Sequence, residues 1–105
     1  MKLTDLKTVL DRTNLPVAYG YIRADQEPQM PYITFELAYT ANFCADQAVY
    51  LEIKNVDIFL FTRHKDEAAE GLIQKELAKE NILWDKTETY LPEQQTYQIL
   101  YEVRI

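Results

Sequence analysis

Serine is absent from this 105-residue chain, and only one histidine and one cysteine are present. A serine nucleophile is therefore excluded, and any thiol or imidazole catalysis would have to pair Cys44 with His64. One cysteine allows no internal disulfide and no thiolate metal cluster, which suits a reducing compartment. There are two glycines, Gly20 and Gly71, far apart, so no glycine-rich phosphate loop exists. With four prolines as well, the chain reads neither as a linker nor as low-complexity sequence. No run approaches the ~18 apolar residues of a membrane helix. The opening Met1–Lys7 has no long apolar stretch, so no signal peptide is expected and the protein should be made and kept in the cytoplasm.

What is present fits one domain over residues 1–105. Apolar residues make up 48% of the chain, enough for one modest core. Eight tyrosines outnumber the four phenylalanines and one tryptophan. Tyrosine suits strands with a half-wet face, and it also serves as an interface anchor. The net charge is −6, and the basic residues are scattered apart from Arg63-His64-Lys65. Direct nucleic-acid binding is disfavoured, because no face gathers a surplus of Lys and Arg.

Periodicity predicts a helix over 4–14, from Leu3, Leu6, Val9 and Leu10, with Thr4 as N-cap, Asp5 in the first turn and Asn14-Pro16 as the stop. A short strand is predicted over 17–22, with Val17, Tyr19 and Tyr21 on one face, and a loop over 23–31. Residues 32–40 alternate, with Ile33, Phe35, Leu37 and Tyr39 facing one way and Tyr32, Thr34, Glu36 and Ala38 the other. Residues 41–47 are expected to connect to the next strand.

The segment 48–63 carries the strongest pattern. Val49, Leu51 and Ile53 alternate with Tyr50, Glu52 and Lys54. After Asn55 the phase changes, and Val56, Ile58 and Leu60 become the apolar side. A period-2 pattern changes phase only with a bulge, a twist or a change in what covers each face. At about 3.3 Å per residue the segment could span roughly 45–50 Å, more than a helix above it would cover. The first half reads as an arm projecting from the core and the second as a central strand; the alternative is two shorter strands bent at Asn55.

A second helix is predicted over 66–80, N-capped by Asp66, with Ala69, Leu72, Ile73 and Leu77 buried, Glu76 and Lys79 facing water, and Asn81 as the stop. Its acidic residues Glu67, Glu70, Glu76 and Glu80 read as a solvated face. Residues 82–91 and 96–105 form a closing hairpin, turning at Pro92–Gln95, with Tyr97, Ile99, Tyr101, Val103 and Ile105 on one face. The expected fold is α+β: a mainly antiparallel sheet of about five strands, two helices on one face, order α-β-β-β-α-β-β, and a long projecting β-hairpin.

No constellation for chemistry emerges. His64 and Asp66 alone do not make a metal site. Glu88, Glu93 and Glu102 lack any sign of the burial that would split their pKa values into acid and base. The expectation is a non-enzyme without cofactor or metal.

The layout and several phrases resemble small tail-completion (tail-terminator) proteins of long-tailed bacteriophages and prophages. The resembling parts are the opening helix with Leu6 and Leu10, then Leu15-Pro16-Val17-Ala18-Tyr19-Gly20-Tyr21, and Pro31-Tyr32-Ile33-Thr34-Phe35 after a proline-bearing loop. The strand ending Val56-Asp57-Ile58-Phe59-Leu60-Phe61 and the Tyr97–Ile105 strand also fit, so nearly the whole chain is covered. None of these is a catalytic signature. The resemblance implies a homo-oligomeric ring, commonly a hexamer, that caps the tail tube and joins tail to head. Its partners would be other copies of itself, the tail-tube protein and the head–tail connector, with DNA passing through the lumen and no membrane. The location would be the virion neck, after assembly in the host cytoplasm. A ring needs a heterologous surface on each subunit. The projecting hairpin could supply it, which makes Tyr39, Phe43, Val49, Tyr50, Leu51, Glu52 and Ile53 the candidate subunit interface. Alternative readings are a head-completion protein on the connector side and a small adaptor that binds proteins by strand addition at a sheet edge.

Overall fold

A computed structural model describes residues 1–22, 28–45 and 48–105, without the side chains of 42–45 and 48–51. Two helices, α1 (Leu3–Asp11) and α2 (Glu67–Lys79), accompany five strands. The strands are β1 (Val17–Tyr19), β2 (Tyr32–Ala45), β3 (Ala48–Thr62), β4 (Trp84–Leu91) and β5 (Thr96–Arg104). They form one sheet in the order β1-β2-β3-β5-β4, antiparallel except for β1 against β2. The α+β fold and the order α-β-β-β-α-β-β are as the sequence predicts.

The core lies between the sheet and the helices. Leu6 and Leu10 of α1 and Ala69, Ile73 and Leu77 of α2 join one buried cluster. Its sheet side is built from Ile33, Phe35, Val56, Ile58, Leu60, Ile99, Tyr101 and Val103. Register explains why these residues meet. Ile33 pairs with Leu60, which pairs with Ile99, and Phe35 pairs with Ile58, which pairs with Tyr101. Each cross-strand row therefore places large apolar side chains on the same, helix-covered side.

The helix ends follow local chemistry. The N-cap of α1 is Lys2 rather than Thr4, and Asp5 accepts the Lys2 backbone N–H at 3.0 Å. The helix stops at Asp11, short of the predicted Asn14, and Thr13 turns its hydroxyl back to Leu10 O at 2.7 Å. Asp66 caps α2 as predicted, accepting from the Ala69 N–H at 3.0 Å. Asn81, with φ 56°, supplies the left-handed residue that ends the segment.

Several expectations are corrected. β1 ends at Tyr19 instead of residue 22, because Gly20 turns the chain at φ 80°. Tyr21 therefore leaves the strand and is 84% exposed. The expected loop at 23–31 lies partly outside the described residues. β2 runs on to Ala45, so 41–45 is strand rather than connection, while 46–47 lie outside the description. β4 begins at Trp84, and Ile82 is buried before it. On α2, Ala69, Ile73 and Leu77 are buried as predicted, but Leu72 is exposed and Glu70 and Glu76, expected to face water, are buried. β3 is one continuous strand, so the reading of two strands bent at Asn55 does not hold.

Candidate functional site

The phase change in β3 has a definite structural counterpart. Leu37 pairs with Val56, but Tyr39, not Ala38, pairs with Asn55. The extra residue is thus Ala38, and the bulge lies in β2, opposite the phase change. Cross-strand partners share a face. Tyr39 therefore moves to the side of Asn55, away from the helices, and does not share a face with Ile33, Phe35 and Leu37 as the alternation in the sequence suggested.

At the same level β3 loses its second neighbour. β5 pairs with residues 55–62 of β3, and a last pair of hydrogen bonds joins Ile105 and Lys54 at 2.9 and 3.0 Å. On the other side, β1 pairs only with residues 33–35 of β2. The Tyr19 hydroxyl accepts the next outward amide, Leu37 N–H, at 3.2 Å. Beyond these points β2 and β3 continue as a two-stranded ribbon with no further strand beside it among the described residues. This ribbon is the predicted arm, and it helps to give the molecule its 50 Å long axis against 26 and 22 Å.

The predicted interface residues all fall on the arm. Tyr39 is 60% exposed, Glu52 is exposed and Ile53 is half-buried. Glu52 makes a surface ion pair with Lys54 at 3.5 Å. Phe43, Val49, Tyr50 and Leu51 are placed by their backbone, with Phe43 opposite Leu51; their side chains lie outside the described residues. A second register shift follows Phe43, so the ribbon is regular from Tyr39 to Phe43.

The sheet face opposite the helices holds two features that the sequence did not reveal. One is an aromatic groove of about 280 Å³ beside β1, lined by Tyr21, Tyr32, Thr34, Phe59 and Phe61. Tyr32 stacks on Phe61 at 5.1 Å, and Phe59 follows at 6.2 Å, so Tyr32 is buried on a face without helices. The other is a row of carboxylates across four strands: Glu36 pairs with Asp57, Asp57 with Glu102, and Glu102 with Asp85. Burial, followed by the negative charge of Glu36, raises the Asp57 pKa above its ordinary value. Like charges placed directly opposite destabilise a sheet, so this row works against folding.

On the helix-covered side, the buried Glu70 carboxylate is held by Lys86 at 3.0 Å and Lys65 at 2.7 Å. Lys65 also reaches Glu88 at 2.7 Å. Gln74 accepts hydrogen bonds from Lys86 at 3.3 Å and from the Tyr101 hydroxyl at 2.9 Å. Burial alone would raise the Glu70 pKa; the two lysines outweigh it, and the net shift is downward. Burial, then the Glu70 charge, pushes the Tyr101 phenol up. This network ties α2 to β4 and β5 and opens onto no groove described above.

The single thiol and imidazole are not brought together. Cys44 pairs with Val49 near the tip of the arm, while His64 follows the other end of β3. At about 3.3 Å per residue, the strand between them separates them by roughly 40 Å. Among the described residues, no three His, Cys, Asp or Glu side chains are grouped to hold a metal ion. No helix among the described residues is long and apolar enough to cross a membrane. Compared with models of known protein families and with curated proteins, the chain matches none.

Proposed function

We propose that this chain is a structural assembly subunit of a phage or prophage virion, a tail-completion or tail-terminator protein. In this reading it forms a homo-oligomeric ring, hexameric as the resemblance implies, that caps the tail tube and joins it to the head connector. It acts as a non-enzyme without cofactor. The observation that carries the reading is the β2–β3 ribbon, which extends past the other strands among the described residues and whose described side chains, from Ala38 to Ala41 and from Glu52 to Lys54, take no part in the buried cluster. A segment that does little for the fold and projects from it suits contact with neighbouring subunits. The net charge of −6 is compatible with a lumen through which DNA slides without sticking.

Adding the purified chain to tails that lack a terminator tests this. The expected result is tails of uniform length, capped at one end in electron micrographs and competent to join filled heads. Binding to filled heads but not to tails would move the protein to the connector side of the joint. Binding to neither would overturn the virion reading.

A further inference from the structure

The sheet has unequal edges. β4, the outer strand on one side, carries Asp85, Lys86 and Glu88, the charge pattern with which natural sheets discourage edge pairing. On the other side β1 covers only residues 33–35 of β2. Past it, β2 from Ala38 to Ala45 contains no charged residue and no proline. An uncharged edge of this kind is a template for another strand.

Register identifies the backbone groups on offer. The Ile33 and Leu37 amides point toward β1, bonding Pro16 O at 2.8 Å and the Tyr19 hydroxyl at 3.2 Å. Without an irregularity, Tyr39 and Ala41 would continue that outward series. The extra residue Ala38 re-phases the strand, so the outward groups in the regular stretch become those of Thr40 and Asn42. On β3, Lys54 faces outward, since its N–H and C=O bond Ile105. By alternation Glu52 faces outward too, beyond the end of β5. Among the described residues, the arm thus has a free edge on each strand.

From this geometry we propose that the β2 edge between Tyr39 and Phe43 takes up the β3 edge of a second copy of this chain, antiparallel and head to tail, by strand addition. The inference rests on the assembly reading and specifies its contact. A second copy is the occupant because its own arm provides a matching edge: β1 is only three residues long and β4 is charged, whereas between Ala48 and Ile53 the sole charge is Glu52. The pairing is heterologous, so every copy uses both edges and the series can close into a ring. It also continues the rows Tyr39–Asn55 and Ala41–Ile53 on the face away from the helices.

Two proline variants test it. Thr40→Pro removes an outward amide of β2, and Glu52→Pro removes one of β3; neither amide serves the β2–β3 ladder, so circular dichroism and thermal unfolding should match wild type. By sedimentation velocity up to millimolar concentration, wild type should form closed oligomers and each variant alone should stay monomeric. An equimolar mixture should stop at a one-to-one dimer, because only one edge of each variant remains usable. Wild type that stays monomeric, variants that still form the wild-type oligomer, or a wild-type species that is solely a two-fold dimer would each overturn the proposal. Tail capping separates the two readings. If Thr40→Pro caps tails normally, strand addition is wrong and the terminator reading survives. If the mixed dimer forms but wild type never caps tails, strand addition stands and the virion reading fails.

Discussion

The body of the sheet and its arm share two strands, β2 and β3, yet they obey different rules. In the body, Val56, Ile58 and Leu60 are fully buried beneath α1 and α2. In the arm, the row containing Ile53 faces away from the helix side, and its neighbour Tyr39 is mostly exposed. In β2 the switch is made by one inserted residue, Ala38, which brings Tyr39 and Ala41 onto the face of Asn55 and Ile53; β3 alternates without a break, and its apolar residues change face at Asn55. A one-residue shift moves every following side chain to the other face. The difference teaches that alternation reports a covered face without saying what covers it: helices of the same chain in the body, and another molecule in the proposed account of the arm.

The comparison breaks first if body and arm respond alike to truncation. Leu60→Ala should destabilise the fold by about 2–5 kcal/mol, because it empties a fully buried site in the core cluster to which both helices contribute. Ile53→Ala should cost the monomer no more than about 1 kcal/mol, because Ile53 is only half-buried and lies outside the core cluster. Chemical denaturation of both variants checks the pair.

Next in size is the buried polar network of the body. Glu70→Gln should cost roughly 1–3 kcal/mol, since Lys65 and Lys86 lose their charged partner but remain open enough to hydrate. The pH sign follows from a folded pKa below the unfolded one. The Glu70 contribution is complete above the unfolded carboxylate range and is lost as pH falls through the folded value. An acid unfolding series should therefore show wild type and Glu70→Gln converging at low pH.

Smaller effects sharpen the picture. Asp66→Ala should remove about 1 kcal/mol by uncapping α2, read as a lower unfolding midpoint. Asp57→Asn should stabilise the chain by about 0.2–1 kcal/mol at neutral pH, by relieving the carboxylate row. Here the sign is opposite to that of Glu70. A raised folded pKa means the carboxylate destabilises above that pKa, so the gain from Asp57→Asn should vanish once acid protonates it in both states.

The body was legible because its signals were local and repeated. Alternation placed Ile33, Phe35, Ile99, Tyr101 and Val103 correctly on the buried side, and Asp66 and Asn81 marked the ends of α2. The arm was legible in β3, where Asn55 marks both the phase change and the last strand pair with β5. It was illegible in β2, because Leu37, Ala38 and Tyr39 continue an unbroken alternation and nothing local announces a bulge. Glu70 and Glu76 were misassigned for a related reason. On a helix, a buried carboxylate looks like a solvated one until its partners are known, and Lys86 lies on a distant strand. Glu70 does share the helical spacing of Gln74 and Ile73, which was the available clue. The carboxylate row required register across four strands, and no single segment encodes that.

The central claim is that folding resides in the body and association in the arm. Replacing residues 40–54 by Asn-Gly joins Tyr39 to Asn55, which already pair, through a two-residue turn suited to a hairpin. Thermal unfolding and sedimentation of that shortened chain, measured together, test the claim most directly. The account predicts an unfolding midpoint close to wild type and complete loss of association. A shortened chain that fails to fold, or one that folds and still associates as wild type does, would contradict it.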